Sequence, residues 1–153
     1  MLGTPGTVRR RYVDDLIKDF APDCQVRLQG STRLVAEAER KLAGGAVNLD
    51  VLREEIAPLF AGRIGADVDG VVLACTHFPL LREELRSVVR QSVNWIDSGE
   101  AIARRLDDVL SDIAQRVLPA HEQMAFLIGP DPDPIRAKAF ADYGFKRVIG
   151  LLK

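Results

Sequence analysis

The sequence predicts an α/β fold with a mainly parallel sheet flanked by helices. Two observations carry that expectation. Short strand-like apolar runs alternate with segments of helical periodicity along most of the chain, the pattern of strand–helix–strand units with right-handed crossovers. The run Gly70-Val71-Val72-Leu73-Ala74 is also unbroken in its apolar character, as expected of a central parallel strand buried on both faces. At 153 residues the chain suits one domain or a little more and can bury a real core.

The elements follow in order. Val8, Tyr12, Leu16 and Phe20 recur every four residues and predict an amphipathic helix, capped by Thr7 and stopped by Pro22. Gln25 to Leu28 alternates weakly and reads as a short strand. Leu34, Val35, Ala38 and Leu42 mark a second helix that ends at Gly44-Gly45. Leu52, Ile56, Leu59 and Phe60 mark a third, with Asn48 as its cap. After the strand Gly70–Ala74, Pro79 opens a helix whose Leu81, Leu85 and Val89 face the sheet. Val93 to Ile96 reads as another strand. Asp97 and Glu100 have capping-box spacing, and Ile102, Leu106, Val109, Leu110 and Ile113 continue into a long helix ending before Pro119. A break falls at Leu118-Pro119-Ala120-His121. Beyond it, Met124 to Ile128 reads as a strand, Pro134 to Tyr143 as a helix closed by Gly144, and Arg147 to Leu151 as a last strand.

Composition excludes several classes of function. The formal net charge is −1, so bulk electrostatics gives no reason to expect a nucleic-acid partner. The one basic run, Arg9-Arg10-Arg11, reads as a solvated helical turn. The apolar stretches are too short to span a bilayer. Cys24 and Cys75 make no disulfide framework, and with no secretory leader in view they suggest a reducing cytosol. No spacing of Cys and His supports a zinc site, and Gly3-x-x-Gly6 and Gly44-Gly45 lack the full pattern of a phosphate loop.

The chemistry concentrates in Cys75-Thr76-His77-Phe78-Pro79-Leu80-Leu81. The order places a thiol at the carboxyl end of a strand and beside a helix start, the edge where open α/β sheets bind ligands. Alone, a cysteine after a strand reads as a small buried hydrophobe. His77, two residues on, points elsewhere, because an imidazole beside a thiol can hold a thiolate or move its proton. Thr76 reads equally as a ligand for a substrate carboxylate or ammonium and as a helix cap. Thr4 and Thr7 flank Pro5-Gly6, which unaided is a turn followed by a cap. Cys24 reads as structural, His121 as a solvated side chain in a linker, and Asp97 as a helix cap.

The motif Cys75-Thr76-His77-Phe78-Pro79-Leu80-Leu81 resembles the second catalytic-cysteine motif of glutamate racemases, in the cofactor-independent aspartate/glutamate racemase superfamily. Thr4-Pro5-Gly6-Thr7-Val8-Arg9 resembles that family's threonine loop. Gly30-Ser31-Thr32-Arg33-Leu34-Val35 and Asp97-Ser98-Gly99-Glu100-Ala101-Ile102-Ala103-Arg104-Arg105 resemble two further segments, all in family order. His77 favours the glutamate type over the aspartate type.

The resemblance implies two α/β lobes with one catalytic cysteine on each. It implies that residues 1–96 form the lobe carrying the Cys-Thr-His motif, and that 97–153 form a helix and tail returning to the first lobe. Neither the Asp-Ser-Gly-type loop nor the Cys-Asn-Thr-type loop of a first lobe occurs here, so the chain reads as the second half of such an enzyme. Cys75 and His77 would be catalytic, and Thr76, Thr7 and Thr4 would bind substrate. Glu37 or Glu39 could add an acidic group. No cofactor is implied, since a thiolate and a thiol on opposite faces of an α-carbon can act as base and acid. The implied setting is cytoplasmic, with glutamate as the small-molecule substrate, D-glutamate destined for peptidoglycan, no nucleic acid or membrane as partner, and a homo-oligomer or a separate N-terminal lobe as partner protein. The rival expectation is a non-catalytic half-racemase that binds an amino acid or a partner lobe.

Overall fold

The structure, a computed structural model, describes residues 1–114 and 123–152. The expected break at 118–121, the helix end before Pro119, and His121 lie outside the described residues. The chain divides into two compact units, one of Met1–Glu39 with Val47–Glu100 and one of Arg40–Ala46 with Ala101–Lys153.

The first unit holds a four-stranded sheet. Its strands are β1 (Leu2–Gly3), β2 (Gln29–Gly30), β3 (Gly70–Ala74) and β4 (Asn94–Ile96). They lie in the order β2-β1-β3-β4, and every neighbouring pair is parallel. The parallel α/β expectation therefore holds. The helices between them are α1 (Pro5–Val8), α2 (Arg11–Phe20), α3 (Arg33–Leu42), α4 (Leu49–Ile56), α5 (Gly62–Ala66) and α6 (Arg82–Val88). Leu2 pairs with Leu73, so both point to one face of the sheet, with Val71 two residues away beside them. On that face they join Leu34 and Ala38 of α3, Leu52 and Ile56 of α4, and Phe78, Leu81 and Leu85 in one buried core.

The opposite face is different. Val72 is 41% exposed and its partner Ile96 is 50% exposed. β3 is thus central but not buried on both sides, contrary to its unbroken apolar run. A cavity of about 450 Å³ opens on this side, lined by Cys24, Val26, Ile64, Gly70, Val72 and Ile96 among others.

Local structure corrects several expectations. Thr4, not Thr7, is the first cap: its Oγ1 accepts the Thr7 N–H at 3.2 Å and heads the short helix α1. The chain then breaks at Arg9-Arg10, and α2 starts afresh at Arg11. Its buried residue is Val13, while Tyr12, Leu16 and Phe20 are exposed. The stripe of Tyr12, Leu16 and Phe20 thus lies on the exposed side of α2, and Val8 belongs to the separate helix α1. The strand expected over 25–28 forms at Gln29–Gly30 instead. Asn48 caps α4 as expected, its Oδ1 accepting the N–H groups of Asp50 and Val51 at 3.0 and 3.4 Å. The short helix α5 had no counterpart in the expectations, because Gly62-Arg63-Ile64-Gly65-Ala66 shows no apolar period.

In the second unit, α7 (Gly99–Ala114) precedes β5 (Met124–Leu127), α8 (Pro134–Asp142) and β6 (Arg147–Gly150). β5 and β6 are parallel over four residue pairs. Asp133 caps α8 by accepting from Ile135 and Arg136 N–H, both at 2.9 Å, and Gly144 closes it in the left-handed region at φ +93°. Phe140 and Phe145 meet edge to face, 6.0 Å between ring centres.

Candidate active site

The site forms where the parallel strands end together. Gly3 pairs with Ala74 and with Gly30. The residues that follow each strand, Thr4, Cys75 and Ser31, therefore leave the sheet at one carboxyl edge, where such sheets bind ligands. Ser31 is buried there and its Oγ accepts the Leu34 N–H at 3.0 Å, fixing the head of α3. Gly30 has to be small. A Cβ on it would lie 2.9 Å from the Pro5 Cα, so the turn that carries Thr4 and Thr7 packs directly on β2. The Thr4 and Thr7 hydroxyls lie 2.9 Å apart, both half-buried.

Cys75 is half-buried at the end of β3. The α-helix expected from Pro79 does not begin there. Phe78–Leu81 form a single 3-10 turn, with His77 at its cap position, and the α-helix α6 starts at Arg82. Leu81 and Leu85 are buried as expected, and Val89 lies just past the end of α6. The N-terminus of α6 therefore begins a 3-10 turn beyond the loop that carries the thiol. Thr76 is exposed and is not the cap.

The group beside the thiol is His77. Its ring makes no cap bond and turns inward instead. Nδ1 lies 3.8 Å from Cys75 Sγ, and Nε2 lies 2.9 Å from Glu39 Oε1. With Glu39 ionised and the ring neutral, Nε2 would donate to the carboxylate and Nδ1 would face the thiol as an acceptor. The arrangement is a relay: thiol, imidazole, carboxylate. It can take the thiol proton onto Nδ1, and the resulting imidazolium is held by the carboxylate.

Helix geometry sends Glu37 and Glu39 to different partners. Two residues apart on α3, their side chains diverge. Glu37 is buried and its Oε2 accepts the Asn48 N–H at 2.8 Å, tying α3 to the start of α4. Glu39 turns to His77. The sequence held both residues and no signal of which one reaches a loop 38 positions away.

Other candidates lie apart. Cys24 is exposed rather than packed, and it lines the cavity that also includes Gly70, at the amino end of β3. Cys75 follows the other end of that five-residue strand. Cys75 does not line that cavity. Asp97 is engaged twice, its Oδ2 by Arg82 Nη2 at 2.5 Å and its Oδ1 by Gly99 N–H at 2.8 Å. That agrees with a cap at the head of α7, although the bond is a local turn rather than a full capping box. Among the described residues no group of three or more Cys, His, Asp or Glu is placed to hold a metal ion, and no helix is long and apolar enough to cross a membrane.

No protein-family model matches the chain. Curated proteins do. The chain is 41% identical over 152 residues to the glutamate racemase of Pasteurella multocida, covering 99% of this chain and 55% of that protein. It is 40% identical over 144 residues to the glutamate racemase of Histophilus somni, covering 94% and 53%. Among solved structures, Escherichia coli glutamate racemase, in complex with L-glutamate and the activator UDP-MurNAc-ala, matches with a TM-score of 0.87 at 39% identity, over 98% of this chain and 56% of that one. A glutamate racemase from Bacillus anthracis shares the fold, with a TM-score of 0.71 at 21% identity. The chain spans about half the length of the curated relatives it matches.

Proposed function

Proceeding from the homology of this chain to about half of a glutamate racemase, we propose that it carries one of the two proton-transfer faces of that enzyme. The substrate is glutamate. Cys75 is the thiol that takes the α-proton from, or returns it to, one face of the α-carbon. His77 receives and returns the Cys75 proton through Nδ1, and Glu39 holds the ring through Nε2. Thr4, Thr7 and Thr76 are the groups at the same sheet edge suited to the substrate's carboxylate and ammonium. The reaction needs no cofactor, since the protein groups alone can move the proton. The product of the complete reaction, D-glutamate, would serve peptidoglycan precursor synthesis in the cytoplasm.

The single observation that carries this reading is the thiol–imidazole–carboxylate relay at the carboxyl edge of β3. Racemisation also needs a second acid–base group on the opposite face of the carbon. Cys24 lines a cavity that does not include Cys75, so it is not that group in the same copy. The second reading, a non-catalytic half that binds an amino acid, is favoured by that one-sidedness.

Incubation with L- or D-glutamate in D₂O decides between the two. The catalytic reading expects slow α-proton exchange that disappears in Cys75→Ser. Glutamate binding seen by calorimetry, with no exchange by the wild-type chain at any pH, would favour the binding module instead.

A further inference from the structure

Helix α3 reaches the imidazole through Glu39, and Glu39 lies close to the end of that helix. Ala38, one residue before it, is fully buried in the core and anchors α3 up to that point. Beyond Glu39 only Arg40, Lys41 and Leu42 remain in the helix. Helix ends leave backbone carbonyls without partners and open easily unless they are capped. The aim of Glu39 therefore depends on how firmly the last turn is closed.

The closure is a two-glycine cap. The Gly45 N–H donates to the Arg40 carbonyl and the Gly44 N–H to the Lys41 carbonyl, both at 2.9 Å. These are the paired bonds of a helix that ends in a left-handed residue, and Gly44 is that residue, with φ +78°. Neither glycine has room for a side chain. A Cβ on Gly45 would lie 2.8 Å from Cγ of Arg40. One on Gly44 would lie 2.2 Å from Cγ2 of Ile135 in α8, which belongs with Arg40–Ala46 to the second unit. Ile135 is itself fixed at the head of α8, where its N–H donates to Asp133 Oδ1 at 2.9 Å. Position 44 thus faces two demands, a left-handed backbone and empty space under Ile135, that glycine alone meets.

We propose that Gly44 is a positioning residue for the proton relay: the cap it forms under Ile135 keeps the last turn of α3 closed and so keeps Glu39 aimed at His77 Nε2. The proposal rests on the relay advanced above. A side chain at position 44 would open the last turn and let Glu39 leave the imidazole for part of the time. Proton uptake from Cys75 would slow, although the thiol, the ring and the carboxylate are all still present.

Alkylation of Cys75 by iodoacetamide, followed by peptide mapping, reads this, with Cys24 as the internal control. In Gly44→Ala, with the far-UV circular dichroism unchanged, Cys75 should react about two- to fivefold more slowly, as expected when the competent arrangement is only partly populated. Cys24 should keep its wild-type rate. In a Glu39→Gln background the same substitution should slow Cys75 no further, because both changes act through one carboxylate. Gly44→Asn separates packing from backbone, since asparagine tolerates the left-handed conformation. Its slowing should come from the collision with Ile135, and adding Ile135→Ala should restore the wild-type rate to within about twofold. Should Gly44→Ala fail to fold, this pair carries the test. Wild-type reactivity of Cys75 in folded Gly44→Asn, no rescue by Ile135→Ala, or full additivity with Glu39→Gln would each overturn the proposal. If His77→Ala slows Cys75 while the Gly44 variants do not, the positioning role alone fails. Wild-type reactivity of Cys75 in His77→Ala would overturn the relay, and this proposal with it.

Discussion

His77 Nε2 stands 2.9 Å from Glu39 Oε1, and 38 residues of chain separate them. The pair joins the loop after β3 to the last turns of α3. Both side chains are partly exposed, 34% for His77 and 42% for Glu39, so as an ion pair it adds little to stability. Its consequence is orientation: it fixes which ring nitrogen faces Cys75.

Glu39→Gln tests that role. The amide keeps the shape and an acceptor oxygen but loses the charge that holds an imidazolium. A charge-assisted hydrogen bond exceeds a neutral one by about 1 kcal/mol, so Cys75 should react with iodoacetamide roughly five- to tenfold more slowly. Unchanged alkylation in Glu39→Gln, with His77→Ala strongly impaired, would show that the imidazole acts without its carboxylate.

The two thiols should respond differently to the loss of the ring. Cys24 is exposed and will be labelled too, so access alone does not single out Cys75. What marks Cys75 is dependence on its neighbour. Peptide mapping after brief alkylation should show His77→Ala slowing modification at Cys75 and leaving Cys24 unaffected. Parallel slowing at both positions would mean that the substitution loosened the fold.

Leu85 measures the placement of α6. It is fully buried in the core shared by β1, β3, α3 and α4. Leu85→Ala should cost about 2–5 kcal/mol, the range for a buried leucine that leaves a cavity. Urea unfolding with an unchanged m-value gives the number, and a loss below about 0.5 kcal/mol would be incompatible with this packing.

Much of this was legible in the sequence, and for identifiable reasons. β3 was placed residue for residue, because five consecutive apolar residues between Asp69 and Cys75 admit few readings. The cap at Asn48 and the buried Leu34, Ala38, Leu52 and Ile56 followed from local period and cap chemistry. The failures came where local pattern underdetermines tertiary contact. Tyr12, Leu16 and Phe20 form a valid helical stripe, but Val13 faces the core. Pro79 suits the first position of an α-helix, yet it sits in a 3-10 turn and α6 starts only at Arg82, while the imidazole of His77 lies beside the thiol. Glu39 could be found only from the fold, because its partner is far away in sequence.

Gly30 ties the threonine turn to the sheet. A Cβ there would meet backbone, Pro5 Cα at 2.9 Å and Pro5 N at 3.1 Å, which cannot swing aside as a flexible side chain can. Gly30→Ala should destabilise by about 1–3 kcal/mol, typical of overpacking. It should also displace Thr4 and Thr7 and weaken glutamate binding by calorimetry more than it slows Cys75 alkylation. Wild-type affinity in a folded Gly30→Ala chain would remove the threonine turn from the binding site.

The chain by itself should not invert glutamate. Inversion needs a proton removed from one face of the α-carbon and delivered to the other. On the proposed function, Cys75 with His77 and Glu39 would supply one face. Cys24 is exposed and lines a cavity that does not include Cys75, so it does not face the same site in one copy. A proton that leaves to Cys75 therefore returns from Cys75, which exchanges hydrogen for deuterium and retains configuration. The exchange itself should be slow, because a substrate held by only one wall is poorly positioned and forfeits much of the rate gain. Chiral chromatography of glutamate after incubation in D₂O, with mass analysis of each enantiomer, separates exchange from inversion. Inversion of both enantiomers that is lost in Cys75→Ser but kept in Cys24→Ser would overturn this expectation and require the second base to come from another residue or another copy.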